Sequence, residues 1–195
     1  MSKHLSQPNS FFVTGTDTEV GKTLVSGALI LKLRAQGIKA IGFKPVVAGT
    51  YRNVKGETLN EDLETLRIAS NLGTDEVSFC PYVLDQPAAP HLVATEQGLR
   101  LEMSVLTQAF QQIQKQAACV VVEGAGGLLI PLNDDKDLGD FAIEINLPII
   151  LVVGMKLGCI NHALLTCEAI KARHLNIAGW VANTLNSEMP LIQEN

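Results

Sequence analysis

Uninterrupted apolar runs recur along the chain, and most of them lead into stretches with helical spacing. Phe11–Val13 is followed by Leu24–Arg34, where Leu24, Ala28, Leu31 and Ala35 recur at helical spacing until Gly37 stops the helix. Lys39 to Val47 predicts a strand ending at Lys44 and closed by Pro45. The polar stretch 48–60 reads as a loop, and Glu61–Asn71 as a helix with Asn60 as its N-cap. A proline-bearing crossing loop, 77–90, holds one short strand candidate, Phe79–Val83, and carries His91 at its end. Leu101, Val105, Ala109, Ile113 and Gln116 mark one face of a helix within Leu99–Gln116. Cys119–Val122 and Pro148–Val153 are apolar throughout, as strands buried on both faces should be. Asp137–Ile145 predicts a short helix, and Ile160, Ala163, Leu164, Cys167 and Ile170 recur on a longer one. Ile177–Asn183 is the last strand. Strand–helix alternation of this kind predicts an α/β fold, a mostly parallel sheet with helices on both faces.

The length of 195 residues suits one domain, here 11–195 behind a polar, frayed lead-in of 1–10. A composition 47% hydrophobic and 18% charged excludes a disordered chain. The net charge of -5 leaves no basic surplus to neutralise nucleic-acid phosphates or an anionic membrane. No apolar run has the length of a membrane span and the first residues lack a signal core, so a soluble, intracellular protein is expected. Cys80, Cys119, Cys159 and Cys167 form no C-x-x-C pair and read as reduced thiols, and the histidines form no ligand cluster.

Chemistry concentrates where strands end. Gly15-Thr16-Asp17-Thr18-Glu19-Val20-Gly21-Lys22-Thr23 lies between the first strand and the first helix. A loop ending Gly-Lys-Thr at a helix start turns backbone N–H groups toward an anion, with the lysine on outer phosphates and the hydroxyl on Mg²⁺. Thr16 stands where the common G-x-x-x-x-G-K-[ST] pattern has its first glycine. Lys44 emerges at a carboxyl strand edge, either facing a ligand or simply solvated. Asp62 either serves the site or satisfies its own helix dipole. Glu123 closes a buried strand ahead of Gly124, Gly126 and Gly127, a place for a carboxylate that holds Mg²⁺. Gly158 precedes a helix start, which by itself is an ordinary βα turn, and Asn183 either reads the edge of a base or holds a turn.

Taken in order, Gly-Thr-Asp-Thr-Glu-Val-Gly-Lys-Thr, Lys44-Pro-Val, Glu123-Gly-Ala-Gly-Gly, Val-Val-Gly-Met-Lys-Leu-Gly-Cys-Ile-Asn-His and Gly-Trp-Val-Ala-Asn closely resemble the dethiobiotin synthetase family, over about Phe11 to Asn183. The resemblance implies a P-loop NTPase-like single domain that works as a homodimer. It implies an ATP- and Mg²⁺-dependent cyclo-ligase of biotin synthesis, closing a ureido ring on 7,8-diaminononanoate with CO₂ through a phosphorylated carbamate. By motif it places Lys44, Lys22 and Thr18 in the chemical step. It places Glu19, Val20, Gly21, Lys22, Thr23, Leu24, Asp62, Glu123, Gly124, Ala125, Gly126, Asn183 and Thr184 around the nucleotide, with Thr23, Asp62 and Glu123 on the metal. Ala48 and Gly158, Cys159, Ile160 and Asn161 fall to the substrate, the last four reaching the neighbouring subunit's site. Two departures follow. Many members carry Ser or Thr before Gly49, where this chain has Ala48, with Thr50 as a nearby hydroxyl. The family also continues through a strand and helix beyond the position of Asn195, adding contacts around base and sugar.

Other readings of a phosphate loop on such a fold weaken on inspection. A partitioning-type ATPase switch carries a second lysine early in the loop, where this chain has Thr16-Asp17. A cobyrinate-type amidating ligase needs a further glutamine-hydrolysing domain. A nucleotide-binding scaffold without catalysis is the remaining alternative.

Overall fold

A computed structural model of the chain describes residues 10–73, 79–184, 189–192 and 194. The elements are β1 (Phe11–Gly15), α1 (Lys22–Ala35), β2 (Ala40–Phe43), β3 (Val46–Ala48), β4 (Tyr51–Arg52), β5 (Thr58–Leu59), α2 (Glu61–Ser70), β6 (Tyr82–Leu84), α3 (Pro90–Glu96), α4 (Met103–Gln114), β7 (Cys119–Gly127), α5 (Leu138–Ile145), β8 (Ile149–Gly154), α6 (Cys159–Ala172) and β9 (Ile177–Asn183). Five strands form one sheet in the order β2-β7-β1-β8-β9, and every neighbouring pair is parallel. The expected fold class is the one observed. All five strands point the same way, so their carboxyl ends, where open α/β sheets bind ligands, lie along one edge.

Alternation along the strands sorts side chains into two layers. Phe12, Val120, Val122 and Ile149 face a cluster with Leu106, Phe110 and Ile113 of α4 and Phe141 and Ala142 of α5. Val13, Cys119, Val121 and Val152 face the opposite cluster, with Ile30 of α1 and Leu66 and Ala69 of α2. Both faces are therefore covered, which is why the central strands show no period-two polarity. Phe12, Phe43 and Phe141 are fully buried, and Phe43 meets Phe110 edge-on at 5.9 Å. Truncating a ring such as Phe12 to alanine costs about 3–5 kcal/mol in a core of this kind.

Capping explains the helix starts that matter for the site. The Asn60 side chain accepts from the Leu63 N–H at 3.1 Å, which starts α2 and presents Asp62 in its first turn. Asp137 and Asp140 form a reciprocal capping box that starts α5. Each cap contributes about 0.5–2 kcal/mol.

Several expectations are corrected. Residues 1–9 of the lead-in lie outside the described residues, but Ser10 is buried, and its hydroxyl accepts from the Val120 N–H at 2.9 Å. The buried face of α1 is Ser26, Gly27 and Ile30, while Leu24 and Leu31 face outward. Small residues carry that contact because α2 approaches closely: a Cβ on Gly27 would lie 3.4 Å from Thr65. On α4 the buried line is Leu106, Phe110 and Ile113, and Val105 is exposed. The stretch 48–60 is not plain loop but holds the β4–β5 hairpin. The short strand lies at Tyr82–Leu84, parallel to β3, and Pro90 opens a helix that the cluster of prolines had masked.

Candidate active site

The phosphate loop owes its shape to packing against its own strand neighbours. Val20 is 2% exposed and wedged so tightly that a Cβ at Gly15 would lie 2.6 Å from it, and a Cβ at Gly154 2.8 Å. The Asn183 amide donates to the Val20 carbonyl at 2.9 Å, and the Thr16 N–H donates to Val152 at 3.0 Å. Held this way, the loop turns through left-handed conformations at Glu19 (φ 57) and Gly21 (φ 90) before α1 begins at Lys22. For glutamate that conformation is strained, the kind of backbone cost found at ligand-clamping loops.

Four other strand ends converge on this loop. Lys44, just past β2, is 2% exposed. Its Nζ lies 2.7 Å from Asp62 Oδ2 and 2.7 Å from Glu123 Oε1. Burial works against the Lys44 ammonium, but Glu123 and Asp62 outweigh it and hold its pKa above the ordinary lysine value. Asp62 is likewise pushed up by burial, and the Lys44 charge reverses this and leaves it below the usual carboxylate value. Lys22 and Lys44 thus stand against Asp62 and Glu123, with Glu19 a further acid on the cleft lining, so the site is lined by strong charges of both signs.

Thr23 Oγ1 lies 2.7 Å from Asp62 Oδ1 and 2.7 Å from Glu123 Oε1. A hydroxyl carries one proton, so it can donate to only one of them. Glu123 Oε2 is buried without a hydrogen-bond partner. A hydroxyl and two carboxylates that converge with an unsatisfied oxygen make a donor set suited to a small, hard divalent cation.

Lys22 donates from Nζ to the Asp17 carbonyl at 2.8 Å. Burial, followed by repulsion from Lys44, lowers its pKa to about 8. Between that value and the unfolded lysine pKa the folded chain binds fewer protons than the unfolded one. This group therefore makes the ligand-free protein more stable as pH rises through that window. A bound polyphosphate favours the ammonium and must restore the proton. ATP affinity is accordingly expected to be full below pH about 8 and to weaken roughly tenfold by pH about 9. Binding titrations across pH check this, and Lys22→Met should bind more weakly but with a flat profile. A steep profile surviving in Lys22→Met would assign the titration to another group.

A cleft of about 760 Å³ opens here, and Thr18, Glu19, Gly21, Lys22, Thr23, Lys44, Ala48, Asp62, Ala125 and Gly126 are among the residues that line it. Ala125 and Gly126 reach it because β7 slips register against β1, Val13 pairing with Glu123 but Gly15 with Gly127. Other residues assigned by motif stand elsewhere. Val20 is core, Leu24 is exposed on α1, Gly124 lies against Phe12, and Thr184 is exposed past β9. The Asn183 donor is already engaged by the loop. Gly158, Cys159, Ile160 and Asn161 do not line this chain's cleft, and the Cys159 side chain is buried. Thr50 does not line it either. Pro87, Ala88, Ala89, Pro90 and Pro131 do, and sequence reading passed over them. Pro90 ahead of a run of helix formers was the available signal.

No helix among the described residues is long and apolar enough to cross a membrane. Among solved structures, the chain resembles the kinase domain of Escherichia coli tyrosine kinase ETK (TM-score 0.56, 16% identity, 94% of this chain and 70% of that one). It also resembles the VpsO kinase domain (TM-score 0.55, 14% identity, 94% and 88%). At such identities these share the fold alone. The model of a family described as an AAA domain matches residues 9–194. The ATP-dependent dethiobiotin synthetase BioD of Ralstonia nicotianae is 46% identical over 94% of this chain and 80% of its own length. The protein of the same name from Aromatoleum aromaticum is 48% identical over 98% of this chain and 84% of its own. With a phosphate loop, Lys22, Lys44 and Glu123 buried beside it, and this likeness along nearly its whole length, the chain belongs to the ATP-dependent dethiobiotin synthetase family.

Proposed function

We propose that the protein is a cytoplasmic, homodimeric cyclo-ligase that makes dethiobiotin from 7,8-diaminononanoate, CO₂ and ATP. The observation that carries this reading is the buried Lys44, paired with Glu123 at 2.7 Å and lining the cleft beside the phosphate loop, in a chain of this family. One substrate amine adds to CO₂ and gives up a proton to solvent to form a carbamate. A carbamate oxygen then attacks the γ-phosphorus of ATP and ADP departs. The second amine attacks the carbonyl of the resulting anhydride, a proton goes to solvent, and phosphate leaves as the ureido ring closes. Mg²⁺ held by Thr23, Asp62 and Glu123 would neutralise charge on the outer phosphates. The N–H groups of 19–23 cradle those phosphates, Lys22 follows the transferring group, and Lys44 faces the carbamate and the developing phosphoryl charge. Such a step asks for positioning and electrostatics rather than covalent participation by the protein. Thr18 at the rim orients the reacting end of the substrate. Asn183, with Oδ1 as an acceptor, and Thr184 lie toward the base. The start of α6 at Gly158–Asn161 binds the carboxylate of substrate in the partner's site.

The direct test is incubation with diaminononanoate, bicarbonate, ATP and Mg²⁺, followed by mass analysis for the cyclic urea. ATP turnover that proceeds at the same rate without the diamine would point instead to a nucleotide switch.

The cleft-lining position of Ala48 yields a specificity prediction. A hydrogen bond to a polar or charged substrate group is worth about 1–3 kcal/mol. Ala48→Ser should lower KM for the diamine by about fivefold or more. Thr50→Val should leave it unchanged, because Thr50 stands outside the cleft lining. Steady-state kinetics on both variants decide the matter, and a raised KM in Thr50→Val would return the hydroxyl role to that residue.

A further inference from the structure

Asp17 lies just ahead of the residues assigned to phosphate and takes no part in the chemistry described above. It nevertheless makes three contacts. Oδ1 accepts from the Thr18 N–H at 2.8 Å, the backbone carbonyl accepts from Lys22 Nζ at 2.8 Å, and Oδ2 accepts from Lys156 Nζ at 2.7 Å. Lys156 belongs to the turn between β8 and α6. Its own carbonyl accepts from the Cys159 N–H at 2.9 Å, the first residue of α6. A single path thus runs from Thr18 and Lys22 through Asp17 and Lys156 to the helix start at Gly158–Asn161. The Lys156 hydrogen bond, followed by that from Thr18, holds the Asp17 carboxyl below its usual value, so it stays ionised.

The pair does not serve stability. Lys156 is 53% exposed and Asp17 45% exposed, and ion pairs so open to solvent contribute little to folding. Neither residue lines the cleft. What the contact does is tie the phosphate loop to the turn that opens α6, whose Cys159 N–H donates to the Lys156 carbonyl.

We propose that Asp17 and Lys156 are positioning residues that couple nucleotide at the phosphate loop to carboxylate at the α6 start. A phosphate drawing Lys22 off the Asp17 carbonyl shifts Asp17, and Lys156 passes that shift to the turn that sets the helix start. The inference rests on the substrate carboxylate binding at Gly158–Asn161. If that helix start serves the partner's site, the pair links the two active sites of a dimer, and nucleotide at one tunes substrate affinity at the other. The coupling is reciprocal, as linkage requires.

The test is calorimetric titration of the whole protein with diaminononanoate, with and without saturating ADP and Mg²⁺, and of ADP with and without the diamine. The wild type is expected to show a coupling of about fivefold, the upper end of what an exposed ion pair can carry, equal in both directions. Lys156→Met, and Asp17→Asn, which keeps an acceptor for Thr18, should each bring it within about twofold of none. Both should keep the separate affinities and the melting temperature, and Lys156→Arg should retain the coupling. Raising salt to about 1 M should erode it in the wild type only, because an exposed pair is screened. Coupling absent from the wild type or unchanged in both variants overturns the inference. So does Lys156→Met weakening diamine binding equally with and without ADP, which would make Lys156 a direct contact. Gly158→Val separates the two levels: unchanged diamine affinity there removes the carboxylate placement, and this inference with it. Lost affinity in Gly158→Val with coupling intact in the other variants overturns the inference alone.

Discussion

Replacing Lys44 with alanine is expected to cut kcat for ring closure by roughly two to three orders of magnitude, the usual effect of removing a group aimed at developing charge. Lys22→Ala should lose a comparable amount for the same reason. Lys44 carries a second consequence. Its removal leaves Glu123, 0% exposed, without its cation, and an unpaired buried charge costs about 3–5 kcal/mol. A fall in melting temperature is therefore expected alongside the kinetic loss, and it should recover in part when Mg²⁺ and ADP are bound. Stopped-flow or single-turnover assays on protein shown to be folded and to bind ADP separate chemistry from unfolding. Near-normal kcat with only a raised KM for the diamine would mean that Lys44 binds substrate without acting on the phosphoryl step.

Mixing two dead variants is expected to restore about a quarter of wild-type activity. One variant lacks Lys44. The other carries Gly158→Val, where φ is +94 and no atom lies within 4 Å of a built Cβ, so the damage comes from backbone strain in the turn rather than crowding within the chain. If each site takes Lys44 from one subunit and the α6 start from the other, a hybrid dimer has one site with both elements intact and one with both lost. Random exchange makes half the dimers hybrid, hence the quarter. A mixture that stays dead despite demonstrated exchange would put both elements in one subunit's site.

What could be read from sequence was whatever depends on local chemistry. The Gly-Lys-Thr loop, the Asn60 cap and the uninterrupted apolar strands each state their own reason, and the structure bears out the loop's place between β1 and α1. What could not be read was decided by neighbours. Ser26 and Gly27 face the core of α1 because α2 lies close, which apolar counting scores as nothing. The pairing of β3 with β6 joins segments more than thirty residues apart. Asp17 and Lys156 meet across the sheet edge, and nothing in the spacing of either predicts the other. The site divides in the same way. Lys44, Asp62 and Glu123 were separately ambiguous, and only the 2.7 Å distances from Lys44 to each acid make them one arrangement.

The wedging of Val20 against Gly15 and Gly154 also bears on how such a loop changes over generations. Two positions of one loop and a third from a distant strand share one volume, so their substitutions are not independent. A methyl added at either glycine has nowhere to go unless the valine shrinks first. A smaller residue at position 20 leaves a void and loosens the turn that aims Lys22 and Thr23. The viable single steps are nearly absent, and the viable paths pass through paired changes. Drift at these sites should therefore be slow and concerted, a form of epistasis written into packing rather than into any contact with the nucleotide.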